Sequence, residues 1–193
     1  MEKETLNNHT ENKISEIESE GKTYKESQEY VPLWKDILYI FGKLAGIALC
    51  FVLLSLFVFG IYRNRDADMY PAVKDGDLLI YYRLDKDYTV SDCIVLTYDG
   101  TAQIRRVIAV AGDTVDITEQ GLIINGQVQW ETYVYEETQR YTEGVDFPIT
   151  LKDGQVFVLG DARAGAVDSR IYGAVNVSDT KGKVMLLLRR RDF

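Results

Sequence analysis

The chain has 193 residues, 46% of them hydrophobic, with 22 Lys and Arg against 30 Asp and Glu and a formal charge of −8. That length supports one domain of ordinary size plus an anchor, and the hydrophobic share suffices for a packed core. The acidic balance excludes a nucleic-acid binder, which needs a basic face, and a lone His9 excludes His-based triads and His-rich metal sites.

Residues 1–33 are polar and charged, and up to Asp36 they hold five Lys and nine acidic residues. This reads as a disordered acidic tail in which Ile14, Ile17 and Tyr24 line at most a weak helical face. From Leu44 to Tyr62 there are 19 residues without a charge. At about 1.5 Å per residue this run covers most of a ~30 Å hydrocarbon layer, and the flanks extend it. No polar stripe marks it as a core helix, and it starts too late for a cleaved leader. Residues 34–63 are therefore read as a single transmembrane helix with its flanks. Trp34, Tyr39 and Tyr62 suit the two interfaces, while Lys and Arg on both sides leave the orientation undecided. Cys50 falls in this run and Cys93 far downstream, so a disulfide between them is not expected.

Residues 64–193 change character, with short apolar runs broken by Gly and Asp. Leu78–Tyr82, Cys93–Thr97, Ile104–Ala111, Leu122–Asn125, Val156–Leu159, Ala174–Val177 and Val184–Leu188 read as strands. Asn125-Gly126 is a hairpin turn signal, and Gly76-Asp77, Gly112-Asp113, Asp153-Gly154 and Gly160-Asp161 mark further turns. No long helical period appears, so the reading is a mainly β, antiparallel domain. Acidic pairs such as Asp75/Asp77 and Asp85/Asp87 sit in turns without the ligand spacing of a Ca²⁺ or Zn²⁺ site, and no metal or cofactor is expected.

Three clusters stand out in this domain. The first is Asp68-Met69-Tyr70-Pro71 with Gly76-Asp77, and the second is Arg105-Arg106-Val107-Ile108 with Gly112-Asp113. The third is Gly160-Asp161-Ala162-Arg163, then Asp168-Ser169-Arg170 and Gly173. Their order and spacing resemble the type I signal peptidases, the S26 serine peptidases. That family's pattern runs S-M-x-P-T, then K-R-V-I-G-x-P-G-D, then G-D-N-R-x-x-S-x-D-S-R-x-x-G. The resemblance covers roughly residues 40 to 185. It implies a signal peptidase-like β domain on the outer side of a cell membrane, a cytoplasmic N-terminus and exported precursors as substrates, bound in a cleft as an added strand.

The departures fall on the chemistry. The family's nucleophilic Ser is Asp68 here and its basic Lys is Arg105. Ala72, Ala162 and Ala166 replace a Thr, an Asn and a Ser, and Ala109 and Ala111 replace a Gly and a Pro. A carboxylate has no hydroxyl to attack an amide, and a guanidinium stays protonated and cannot act as general base. General-base assistance alone contributes about 10²–10⁴-fold. The catalytic residues are therefore read as absent. Asp68 and Arg105 should form an ion pair. Asp68, Met69, Tyr70, Pro71 and Arg105 are the cleft candidates. Arg106, Gly160, Asp161, Arg163, Asp168, Ser169 and Arg170 are the bracing set, with Ser169 the family-matching hydroxyl left near the site.

Between the second and third clusters, residues 117–150 read as a variable cap-like segment. Trp130–Phe147 carries Tyr133, Tyr135 and Tyr141 among acidic residues, as a partner surface or an ordinary β subdomain. Arg189-Arg190-Arg191 reads as a solvated end or a contact to anionic lipid. Asp at the nucleophile position resembles the dyad-less pilus-assembly factors of Gram-positive bacteria, which act with sortases. The expected partners are thus an exported protein or pilin segment, membrane lipid and a sortase. The reading is a non-cleaving signal peptidase-like pseudoenzyme, with the alternative of a signal peptidase that cleaves by an atypical route.

Overall fold

The computed structural model describes residues 13, 14, 16, 33–132 and 134–189. The acidic tail with His9 lies almost wholly outside them, as do Tyr133, Arg190 and Arg191. The chain divides into two compact units, Met1–Phe51 and Val52–Phe193.

Helix α1, Leu33–Val58, runs 26 residues and buries none of them. Asp36 in its first turn complements the positive end of the helix dipole. Among the described residues it is the one helix long and apolar enough to cross a membrane. The uncharged run continues to Tyr62, but the helix does not. Phe59–Arg63 forms strand β1, a correction to the helical reading of those residues. Aromatic and β-branched side chains favour extended backbone here, and a partner strand is at hand. Gly60 sits opposite Tyr81, and a Cβ on it would lie 2.1 Å from the Tyr81 ring, so any larger residue would have to push that ring aside.

The remaining strands are β2 (Leu78–Tyr82), β3 (Cys93–Tyr98), β4 (Thr101–Ala109), β5 (Thr114–Thr118), β6 (Gly121–Ile124), β7 (Gln127–Val128), β8 (Ile149–Thr150), β9 (Gln155–Leu159), β10 (Val175–Asn176) and β11 (Thr180–Leu188). A short helix α2, Ser169–Tyr172, precedes β10. Seven strands form one sheet in the order β1-β2-β11-β3-β4-β9-β10, and four form a second, β7-β6-β5-β8. Every pairing is antiparallel. All seven strands read from the sequence are present, β2 with the ends read for it and the other six with shifted ends.

Two tight turns set the register. Asn125 and Gly126 take positive φ (52° and 78°) between β6 and β7, and Asp99 and Gly100 do the same (47° and 72°) between β3 and β4. The core lies in three clusters. Ile108, Val115, Ile117, Leu122, Phe157 and Leu159 join the two sheets. Ile94, Leu96, Val107 and Val158 pack across the centre of the large sheet. Met69, Val73, Leu79 and Ile104 form the third, beneath the loop that carries the first sequence cluster. The exposed Arg189 holds the buried Asp77 carboxylate at 2.7 Å and so pins the end of β11 to that loop.

Candidate functional site

The loop between β1 and β2 is shaped by Asn64. Its backbone bonds Asp77 and Gly76 at 2.9 and 3.0 Å, and its Nδ2 donates to Asp66 O at 2.7 Å and Lys74 O at 3.2 Å. Asp66 Oδ1 accepts the Asp68 N–H at 3.2 Å, an Asx turn that sets Asp68 at the lip of the loop. Met69 is fully buried in the third core cluster. It anchors the loop from below and does not face the cleft, as the sequence reading had it. Tyr70 is exposed and Pro71 half-buried.

Arg105 projects from β4 toward this loop and pairs with the Asp68 carboxylate; it is 1% exposed and Asp68 22%. Four of the five guanidinium N–H groups are bonded, the Asp68 contact included. Nε donates to Val167 O at 2.9 Å, Nη1 to Ile104 O at 2.5 Å and Nη2 to Gln103 Oε1 at 2.7 Å. The third cluster closes the ring. Val167 N donates to Asp68 Oδ2 at 3.2 Å and Ala162 N to Asp68 O at 2.9 Å. Gly160 permits this approach, because a Cβ there would lie 2.6 Å from Asp68 O and 2.3 Å from the Ala166 Cβ. All three clusters thus converge on Asp68.

The family model described as signal peptidase, peptidase S26, matches residues 36–188. The chain is 30% identical over 153 residues to a signal peptidase I of Bacillus caldolyticus, covering 72% of this chain and 84% of that protein. It is 34% identical over 141 residues to a probable signal peptidase I-1 of a Synechocystis strain, covering 66% and 70%.

The chain belongs to the S26 signal peptidase family.

A solved signal peptidase I of Enterococcus faecalis V583 is 26% identical, with a TM-score of 0.43 over 51% of this chain and 97% of that one.

The S26 clusters are braced by buried ion pairs. Arg106 grips Asp161 through two bonds of 2.8 and 2.6 Å, joining the second cluster to the third. Asp168 holds Arg170 at 2.9 and 2.8 Å, caps α2 by accepting Arg170 N at 3.1 Å, and takes Gly160 N at 3.0 Å. Arg163 pairs with Glu131 and bonds Thr138 Oγ1 at 2.8 Å, tying the cap-like segment to the third cluster. Ser169 is fully buried and its Oγ accepts Val158 N at 3.0 Å. It supports β9 and offers no exposed nucleophile.

Asp66, Gln103 and Glu131 complete this site and were not singled out from the sequence, while Tyr62, read there as a membrane-interface aromatic, is half-buried in β1 with its hydroxyl on Ala102 O at 2.9 Å. Gln103 lies two residues before Arg105, on the same face of a strand, a spacing that places the two side chains together. Burial pushes the Asp66 carboxyl up; the Asp68 charge adds to this and the Arg105 charge opposes it. Burial likewise pushes the Tyr62 phenol up. Chemically, Asp68 and Arg105 form a charge-assisted clamp that contains neither a hydroxyl nor a free amine.

Proposed function

We propose that this S26 family member binds or presents exported proteins at the membrane without cutting them. The observation that carries the reading is the Asp68–Arg105 pair at the dyad positions. Neither group can do the dyad's work, and Arg105 is further committed to Val167, Ile104 and Gln103. The cleft remains a place where an extended segment can dock. On this reading α1 anchors the protein, the tail is cytoplasmic and residues 64–193 lie outside. Asp at the nucleophile position, a feature of the dyad-less pilus-assembly factors, supports a pilin as the bound protein and a sortase as the enzyme that receives it.

A cleavage assay with a model exported precursor tests this. The wild-type chain is expected to be inert, and the double change Asp68→Ser, Arg105→Lys to recover some cleavage by rebuilding the dyad in its scaffold. Cleavage by the wild type would overturn the reading in favour of an atypical peptidase. For the finer reading, the detergent-solubilised chain is expected to co-purify with a pilin expressed beside it, and failure to do so would leave the partner elsewhere among exported proteins.

A further inference from the structure

The large sheet has one unpaired stretch inside it. β4 pairs with β3 from Thr101 to Arg106, but β9 covers its other side only from Arg106 onward. Residues 101–105 therefore present an outer edge with no strand partner among the described residues. Such an edge is where an extended segment adds by main-chain hydrogen bonds.

That edge is already capped by the chain's own side chains. Ala102 O accepts the Tyr62 hydroxyl at 2.9 Å, and Ile104 O accepts Arg105 Nη1 at 2.5 Å. The loop facing it is capped as well. Asp66 O accepts Asn64 Nδ2 at 2.7 Å, and the Asp68 N–H is taken by Asp66 Oδ1 at 3.2 Å. Next to Tyr62 lies an open groove of about 510 Å³ lined by Ile61, Arg65, Asp66, Thr101 and Ala102.

The two caps on β4 differ in kind. Arg105 is a buried charge with several partners, and pulling it away would strand that charge and the Asp68 carboxylate. Tyr62 is a half-buried neutral side chain at the groove's margin, and its hydroxyl makes one bond to Ala102. Exchanging that bond for a peptide N–H on the same carbonyl is nearly even in free energy. We propose that Tyr62 is the latch of the cleft: an extended segment enters by displacing its hydroxyl from Ala102 O, while Arg105 stays on Ile104 O and keeps the segment away from Asp68. This rests on the reading of the cleft as a binding site and adds what regulates entry to it.

The test is fluorescence polarisation with the full chain in detergent and a fluorescein-labelled extended peptide carrying an Ala-Xaa-Ala segment. A second probe is the same peptide with alternate main-chain nitrogens methylated, which removes its ladder donors. Tyr62→Phe keeps the ring and removes the competing hydroxyl, and a single cooperative melting transition in both proteins confirms that folded chains are compared. The expected result is binding tightened about threefold to tenfold for the first probe, with no gain for the methylated one. Equal or weaker binding by Tyr62→Phe, or an equal gain with the methylated probe, overturns the latch and leaves the binding reading standing. No binding of either probe to wild type and Tyr62→Phe alike overturns both.

Discussion

Asp66 and Asp68 stand two residues apart and face the same guanidinium, yet their positions differ. Arg105 bonds Asp68 directly and approaches Asp66 only to 3.9 Å. Burial therefore governs Asp66 and raises its carboxyl above the ordinary range. A carboxyl raised in the folded state contributes stability below its unfolded pKa and loses it as pH rises through the folded value. Asp66→Asn keeps an oxygen for the Asp68 N–H and removes the charge. Its thermal midpoint should match wild type near pH 3 and exceed it as pH rises above the ordinary carboxyl value of about 4, the gap levelling off once Asp66 ionises in the folded chain. A melting series across that range checks this, and a gap that closes with rising pH would contradict it. At this scale the sequence made the Asp68–Arg105 pair legible, because the family's motif places both residues at one cleft. It did not reveal the parts that Asp66, Gln103 and Tyr62 play at the site, which depend on how the loop and β4 turn their side chains toward one another. It also misplaced Met69, since a motif gives a position along the chain and not the side a residue faces.

Among elements, the strands of the outer domain were readable because apolar residues are cut into short runs by turn residues with a defined backbone need. Asn125-Gly126 was read directly, and Asp99-Gly100 is the same signal between β3 and β4. β1 was not readable, because an uncharged run carries no mark where a helix hands over to a strand. The two-residue β8 and the four-residue α2 are set by partners distant in sequence, such as β5 and Val158. The third cluster's loop gives the sharpest test of element packing. A Cβ at Gly160 meets backbone, the Asp68 carbonyl, which cannot swing aside as a flexible side chain does. Gly160→Ala should therefore lower stability by about 1–3 kcal/mol through overpacking. Gly165→Ala, five residues on and with no atom within 4 Å of the added Cβ, should stay within about 0.5 kcal/mol of wild type. Denaturant unfolding of both variants in detergent measures the difference, and equal losses would show that the close approach is not what constrains the loop.

For the whole molecule, the question is which side of the membrane the β-rich domain occupies. Charge does not answer it. Lys25 precedes α1, Lys35 and Lys43 lie in its N-terminal part, Arg63, Arg65 and Lys74 follow it, and a long domain translocates largely regardless of such charges. The outward placement proposed here follows from function: a cleft for exported segments is useful only where those segments emerge. It has a direct consequence for protease access. In cells stripped of their wall but with intact membranes, added proteinase K should remove the domain while a cytoplasmic marker survives. An epitope placed before Leu33 should remain protected until detergent is added. The domain's exposed Trp130 and Tyr135, at 91% and 84%, give early cutting sites in an acidic surface segment. Protection of the domain together with loss of the N-terminal epitope would place it in the cytoplasm. There it could not meet exported proteins, and the binding reading would fall with its location.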